Sequence, residues 1–211
     1  MLRAIFYSVL FIMLIVTACG TSLTGNSSET NNGITVVAQS GTISGKAPPY
    51  SSVFLYSNTY NPFNGLPGDS VITGESGEFK FVIQAGNYNL FCYSNGNLGA
   101  FIRISSRTIT DTGFVNVNDI IHDTLLPTGK LQGYSPYKNT NGYTSYLYIV
   151  GSSFIVAADS SGYFLLEGIP AGMYTIKRYS FVQDYLQTPE IVKDEFTTTI
   201  KILPGETVTL D

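Results

Sequence analysis

The chain has 211 residues, of which 44% are apolar and only 12% charged, and its net charge is −4. That apolar share excludes a disordered polyelectrolyte, and 11 Lys and Arg against 15 Asp and Glu exclude the basic excess that nucleic acid requires. Nine Ala and seven Glu beside 15 Tyr and 13 Phe argue against a helical bundle and for β-sheet.

In chain order, the first predicted element is a targeting segment. Met1-Leu2-Arg3 carries the only early side-chain charge, and Ala4 to Thr17 is an uncharged run closed by Ala18-Cys19-Gly20. As a helix that run would reach about 21 Å at ~1.5 Å per residue, short of a hydrocarbon core of ~30 Å. A positive start, a short apolar stretch and a small-residue stop predict a secretory signal over residues 1–18. Val16-Thr17-Ala18-Cys19 resembles the lipobox of bacterial lipoproteins, with Val and Thr where Leu and an Ala- or Ser-like residue are commonest. The resemblance implies cleavage before Cys19, diacylglycerol on its thiol and acylation of the new α-amine. Two or more acyl chains give stable anchoring where one does not, so the implied partner is the membrane, through the lipid on Cys19. Gly20 stands where such lipoproteins often carry an Asp for inner-membrane retention, which points to the outer membrane of a two-membrane bacterium.

Residues 19–33 follow as a tether, TSLTGNSSETNNG after Cys19-Gly20, with Leu23 as its only apolar side chain. A lipid on Cys19 would leave Cys92 as the one thiol of the mature chain, with no disulfide. Cys92 shares an alternation with Tyr88 and Leu90 and is expected to face a core as a small hydrophobe.

Beyond the tether the chain repeats. SGTISG at 40–45 matches TGKLQG at 128–133, Ser76-Gly77-Glu78-Phe79 matches Ser161-Gly162-Tyr163-Phe164, and Ala85-Gly86-Asn87-Tyr88 matches Ala171-Gly172-Met173-Tyr174. The matched glycines are offset by 88, 85 and 86 residues. Three glycines in one order at nearly one offset predict two tandem units, 34–127 and 128–211, split near Pro127. Phe79, Phe81 and Ile83 alternate with Glu78, Lys80 and Gln84, a strand period, and turn signals recur about every ten residues, the pattern of an antiparallel sandwich. Gly86 and Gly172 are expected to take positive φ in hairpin turns.

Asp159-Ser-Ser-Gly162-Tyr-Phe164 followed by Gly168-Ile-Pro-Ala-Gly172-Met-Tyr174 resembles the carboxypeptidase-regulatory-like repeat, and the spacings Gly41 to Gly45 and Gly129 to Gly133 fit its first strand. In the first unit Gln84-Ala85-Gly86 replaces the Ile-Pro-Ala-Gly turn. The resemblance covers residues 38–211. It implies an all-β chain of two tandem, antiparallel, seven-stranded sandwiches of the transthyretin (prealbumin) kind, found in bacterial envelope proteins as a non-catalytic accessory; some relatives of the same sandwich bind starch.

No catalytic or metal set, and no cofactor site, emerges. His122 is the only His, and beside Asp123 in a strand it would point to the opposite face. One His supplies neither a zinc set nor, without a G-x-S-x-G, a serine triad. Asp159-Ser-Ser-Gly162 lacks the acidic density of a Ca²⁺ loop and is read as a hairpin turn. Lys130 is expected to face solvent, because Leu131 beside it should face inward. The remaining candidates are loop aromatics. Asn58 to Asp69 places Tyr60 and Phe63 in an insertion, and Tyr134 to Tyr143 places Tyr137 and Tyr143 in what is read as the equivalent loop of the second unit. Aromatic faces among Asn and Asp suit a saccharide. Sequence alone therefore leaves two readings: a non-enzymatic envelope lipoprotein with a structural or protein-interaction role, or a carbohydrate-binding surface protein using these four rings. The corresponding partners are another envelope protein or a polysaccharide.

Overall fold

The computed structural model describes residues 30–31, 34–35, 40–63, 65, 68–94, 97–105, 114–116, 125–136, 143–182, 190–192 and 196–210, with backbone alone at 30–31, 34–35, 40, 114–116, 143, 181–182 and 190–192. Cys19, His122, Asp123 and Tyr137 lie outside them. The chain divides into Met1–Val37 and Ala38–Asp211. In the first part, β1 (Thr30–Asn31) and β2 (Ile34–Thr35) pair antiparallel. The ladder reaches into the segment expected to be a coil tether, and the sequence between its strands, Asn32-Gly33, is a preferred two-residue hairpin dipeptide.

All described secondary structure in Ala38–Asp211 is β. The first repeat supplies β3 (Ser40–Lys46), β4 (Ser52–Ser57), β5 (Asp69–Ile72), β6 (Glu78–Gln84), β7 (Tyr88–Ser94), β8 (Leu98–Ile104) and β9 (Phe114–Asn116). After β10 (Leu126–Pro127) the second supplies β11 (Gly129–Tyr134), β12 (Tyr143–Ile149), β13 (Ile155–Ala157), β14 (Tyr163–Ile169), β15 (Gly172–Val182), β16 (Glu190–Val192), β17 (Thr197–Ile202) and β18 (Thr207–Leu210). In the first repeat one sheet runs β6-β3-β9 and the other β8-β7-β4-β5, with β10 added at the β8 edge. The second repeats this order, β14-β11-β18 facing β13-β12-β15, with β16 and β17 both pairing β15. Seven strands correspond one to one, with β16 an addition to the second repeat, so each repeat is built on a seven-stranded sandwich.

One feature departs from the expected antiparallel arrangement. The first and last strands of each repeat lie side by side and parallel, Ile43 opposite Val115 and Leu131 opposite Val208. A parallel pair needs a crossover rather than a hairpin, and here the intervening strands of the opposite sheet provide it. Among the described residues the strand that lies beside β3 in this way is β9. Pro127 lies in β10 and pairs with Leu98.

Alternation places the cores. In β6, Phe79, Phe81 and Ile83 are buried, while Val82 between them is exposed. These residues meet Ile43, Val53, Leu55, Leu90, Cys92 and Ile102 in one cluster. Leu131, Leu147, Phe164, Ile169, Ile176 and Ile202 centre the other. Cys92 is fully buried and free. Burial pushes its thiol up to about 11, and the Ser51 hydroxyl beside it pulls slightly the other way, at a geometry too poor for a true hydrogen bond. A thiol held protonated in a core is a packing group and not a nucleophile.

The matched glycines do two different jobs. Gly77 and Gly162 take φ of 71° and 90°, and they close the same turn. Gly77 N–H donates to Gly74 O and Gly162 N–H to Asp159 O, while Gly77 O accepts from Ala47 N–H and Gly162 O from Ser135 N–H. In the second repeat Asp159 Oδ1 also accepts from the N–H of Ser161 and of Tyr163 and from Ser161 Oγ. The Ser161 hydroxyl, ahead of the backbone donors, holds that carboxyl below the usual Asp range. This turn carries the chain from one sheet to the other, β5 to β6 and β13 to β14, so it is a corner and not the hairpin expected. Gly86 and Gly172 are corners too, from β6 to β7 and from β14 to β15. Neither takes the positive φ expected of it, because the primed turns that demand it belong to two strands that pair with each other. Gly172 is needed for space: a Cβ there would stand 2.6 Å from Phe101 Cδ1.

Candidate binding surfaces around an aromatic seam

The larger sheet of the first repeat buries both faces. Val53, Leu55, Leu90, Cys92 and Ile102 point into its own core. The alternate positions carry a cross-strand row, Phe54 opposite Phe91 and Phe91 opposite Phe101. Phe91 is 2% exposed, and both it and Tyr56 belong to the core cluster of the second repeat. The second repeat presents Phe154, from the β12–β13 connection, and Tyr174, from the start of β15. Phe91 meets Phe101 at 5.0 Å, Phe154 at 5.9 Å and Tyr174 at 6.5 Å between ring centroids, and Phe101 meets Tyr174 at 4.8 Å. Offset and edge contacts of this kind are worth more than the area they bury. The Tyr174 hydroxyl donates to Pro170 O at 2.7 Å, and desolvation raises its pKa well above the usual range, offset in part by Arg103.

Polar bonds frame the rings. Asn89 Nδ2 donates to Gly151 O at 3.0 Å, Gly151 N–H to Tyr60 O at 2.9 Å, Thr128 N–H to Asn97 O at 2.9 Å, and Arg103 Nη2 to Met173 O at 2.6 Å. Gly151 adopts φ of 74°, and a Cβ on it would overlap Asn89 Nδ2 and the carbonyl of Asn58.

Among the described residues, clefts open beside this seam and within the first repeat. One of about 370 Å³ is mainly polar, lined by Asn58, Asn87, Arg103 and Thr175 together with Phe101 and Tyr174. A second, about 260 Å³ and mainly apolar, lies between Phe54, Tyr93 and Phe154. The third, about 460 Å³, is bounded by Tyr60, Asn61, Asp69, Gln84 and Tyr88. Among the described residues no group of three or more His, Cys, Asp or Glu comes together.

The loop aromatics are placed as follows. Tyr60 is half-buried, its ring 5.1 Å from Tyr56. Phe63 is 37% exposed and stands edge-on to Tyr146, Tyr148 and Tyr179 at 5.3, 5.7 and 5.4 Å. The insertion of the first repeat thus reaches onto the outer face of the β12–β15 sheet of the second, where Tyr148 and Tyr179 stack within 8° of parallel. Tyr143 is not in a loop. It opens β12, opposite Val182. The two loops read as equivalent are not: residues 58–68 join the second and third strands of their repeat, and residues 135–142 join the first and second. The aromatic count in both segments suggested a match that the strand order does not support. Sequence reading missed the seam itself, although Phe54, Phe91 and Phe101 fall at every second position of strands whose other positions are apolar. Apolar residues on both faces of a strand are the signal of a sheet covered twice.

No family model matches the chain, and no curated protein matches it. Among solved structures it is similar to the TIE protein of Bacillus anthracis, at 15% identity over 81% of this chain and 33% of that one, with a TM-score of 0.30. A streptococcal ancillary pilin shares 14% identity over 83% of this chain and 63% of its own length, TM-score 0.29. GBS52, the minor pilin of Streptococcus agalactiae, shares 15% over 81% and 93%, TM-score 0.31. The chain spans a third of the length of the first of these and under two thirds of the second.

Proposed function

We propose that this chain is a non-enzymatic lipoprotein of the bacterial cell envelope, held in the outer membrane by lipid on Cys19, whose paired sandwiches serve a structural or protein-interaction role. One observation carries the reading. The contact between the repeats is packed by Tyr56, Phe91, Phe101, Phe154 and Tyr174, and the clefts of about 370 and 260 Å³ open beside these rings. A region packed with the protein's own rings suits a load-bearing body better than a site that must admit and release a small molecule. The shared strand order and the recurrent Gly77 and Gly162 turns support treating 34–127 and 128–211 as two copies of a carboxypeptidase-regulatory-like unit. Val16-Thr17-Ala18-Cys19 supports the anchor, and Gly20 the outer membrane.

The anchor is tested by metabolic labelling with a clickable fatty acid. The unsubstituted protein is expected to carry label and fractionate with membranes, and Cys19→Ser to carry none and leave the membrane fraction. Label persisting on Cys19→Ser would contradict the lipoprotein reading.

A further inference from the structure

The outward positions of the β14-β11-β18 sheet carry an ordered row of side chains. Leu131, Phe164 and Leu166 are buried beneath it, so the alternate residues Gln132, Tyr134 and Tyr163 face solvent with Thr209. The Tyr163 hydroxyl donates to Gln132 Oε1 at 3.1 Å, and Gln132 Nε2 donates to Thr209 Oγ1 at 3.3 Å. These bonds cross all three strands and hold an aromatic ring, an amide and a hydroxyl in fixed positions. Tyr134, directly opposite Tyr163, is 63% exposed, its ring centroid 5.4 Å from that of Tyr163. Along the same face Lys130 and Glu167 form an ion pair, so the surface carries no net charge there.

The first repeat provides an internal control. Gly45 corresponds to Gly133 and Gly77 to Gly162, so Lys46 and Glu78 stand where Tyr134 and Tyr163 stand. They occupy the same register, Lys46 opposite Glu78, and form an ion pair at 3.4 Å. The sandwich therefore closes this position with a solvated charge pair. An exposed Tyr134 beside a part-buried Tyr163 is not a requirement of the fold, and it leaves apolar ring surface in water, which is unfavourable by about 25 cal/mol per Å².

We infer that this face of the second repeat binds a neutral, extended glycan. The C–H face of a sugar ring packs on the exposed ring of Tyr134, with Tyr163 tilted 58° beside it as a wall, and its hydroxyls exchange hydrogen bonds with the Gln132 amide and the Thr209 hydroxyl. Lack of net charge disfavours an anionic ligand, and the side chains already fixed by their mutual bonds lose little entropy on binding. The site lies away from Tyr60 and Phe63, and it goes beyond the structural role proposed above without depending on the lipid.

The test is calorimetric titration of the detergent-solubilised full chain with cellohexaose and with chitohexaose. Binding of at least one is expected. Tyr134→Ala should weaken it by about tenfold or more, equivalent to ~1.4 kcal/mol, at unchanged melting temperature because the ring is exposed. Gln132→Ala should weaken it as well, Tyr134→Phe should retain it, and Lys46→Ala on the matched face of the first repeat should leave it unchanged. Binding of neither oligomer would overturn the inference, as would full binding by Tyr134→Ala. So would a Tyr134→Ala that turns a dimer into a monomer in sedimentation while glycan binding stays the same, since the face would then be a contact between copies of this chain.

Discussion

Phe91→Ala is expected to cost about 3–5 kcal/mol of stability, the range for removing a fully buried aromatic side chain. Phe91 sits at the centre of the seam, 2% exposed, against Tyr56, Phe101, Phe154 and Tyr174. The rings around the resulting cavity come from both repeats, so neither core can collapse into it alone. In urea the unsubstituted protein should unfold in one transition, with far-UV dichroism and tyrosine fluorescence coincident. Phe91→Ala should move the midpoint down and separate the two signals. A loss under about 1 kcal/mol with coincident signals would mean that the seam is a surface contact and not part of the shared core.

Gly77→Val is expected to cost about 2–5 kcal/mol, from two sources. A β-branched residue in the left-handed region is strained by about 1–2 kcal/mol. Its Cβ would also stand 2.1 Å from Ala47 O, an overlap with backbone that only movement of the turn relieves, at about 1–3 kcal/mol. That movement breaks the bond from Ala47 N–H to Gly77 O. Gly172→Ala should cost less, since Gly172 needs no special φ and its Cβ would meet side-chain rather than backbone atoms. Equal midpoints in urea for the two variants would show that close approach, and not backbone conformation, decides both sites.

The glycines also mark how far the sequence could be read. Three matched Gly at nearly constant offset disclosed the duplication, and the alternation of Phe79, Phe81 and Ile83 disclosed which face is buried. Neither says whether a turn joins paired strands or carries the chain to the opposite sheet. That depends on where strands distant in sequence lie, so the sequence predicts positive φ at Gly86 and Gly172, whereas the structure has it at Gly77 and Gly162. The same limit hid the seam. Alternation places Leu90 and Cys92 inside, but the fate of Phe91 on the other face is decided by Phe154 and Tyr174, more than sixty residues later. The tyrosine pair on β11 and β14 was within reach of sequence. Aligning the repeats puts Tyr134 against Lys46 and Tyr163 against Glu78, and that difference between copies is informative without any structure.

Native-state hydrogen exchange tests the central claim, that the two sandwiches form one cooperative body. Amides of Ile43 in the first core and Leu131 in the second, each fully buried on a central strand, should open with the same free energy and gain the same slope with added urea, because the repeats unfold together. Opening of Ile43 at a clearly lower free energy, with Leu131 still protected, would contradict the claim and make the repeats independent domains in contact.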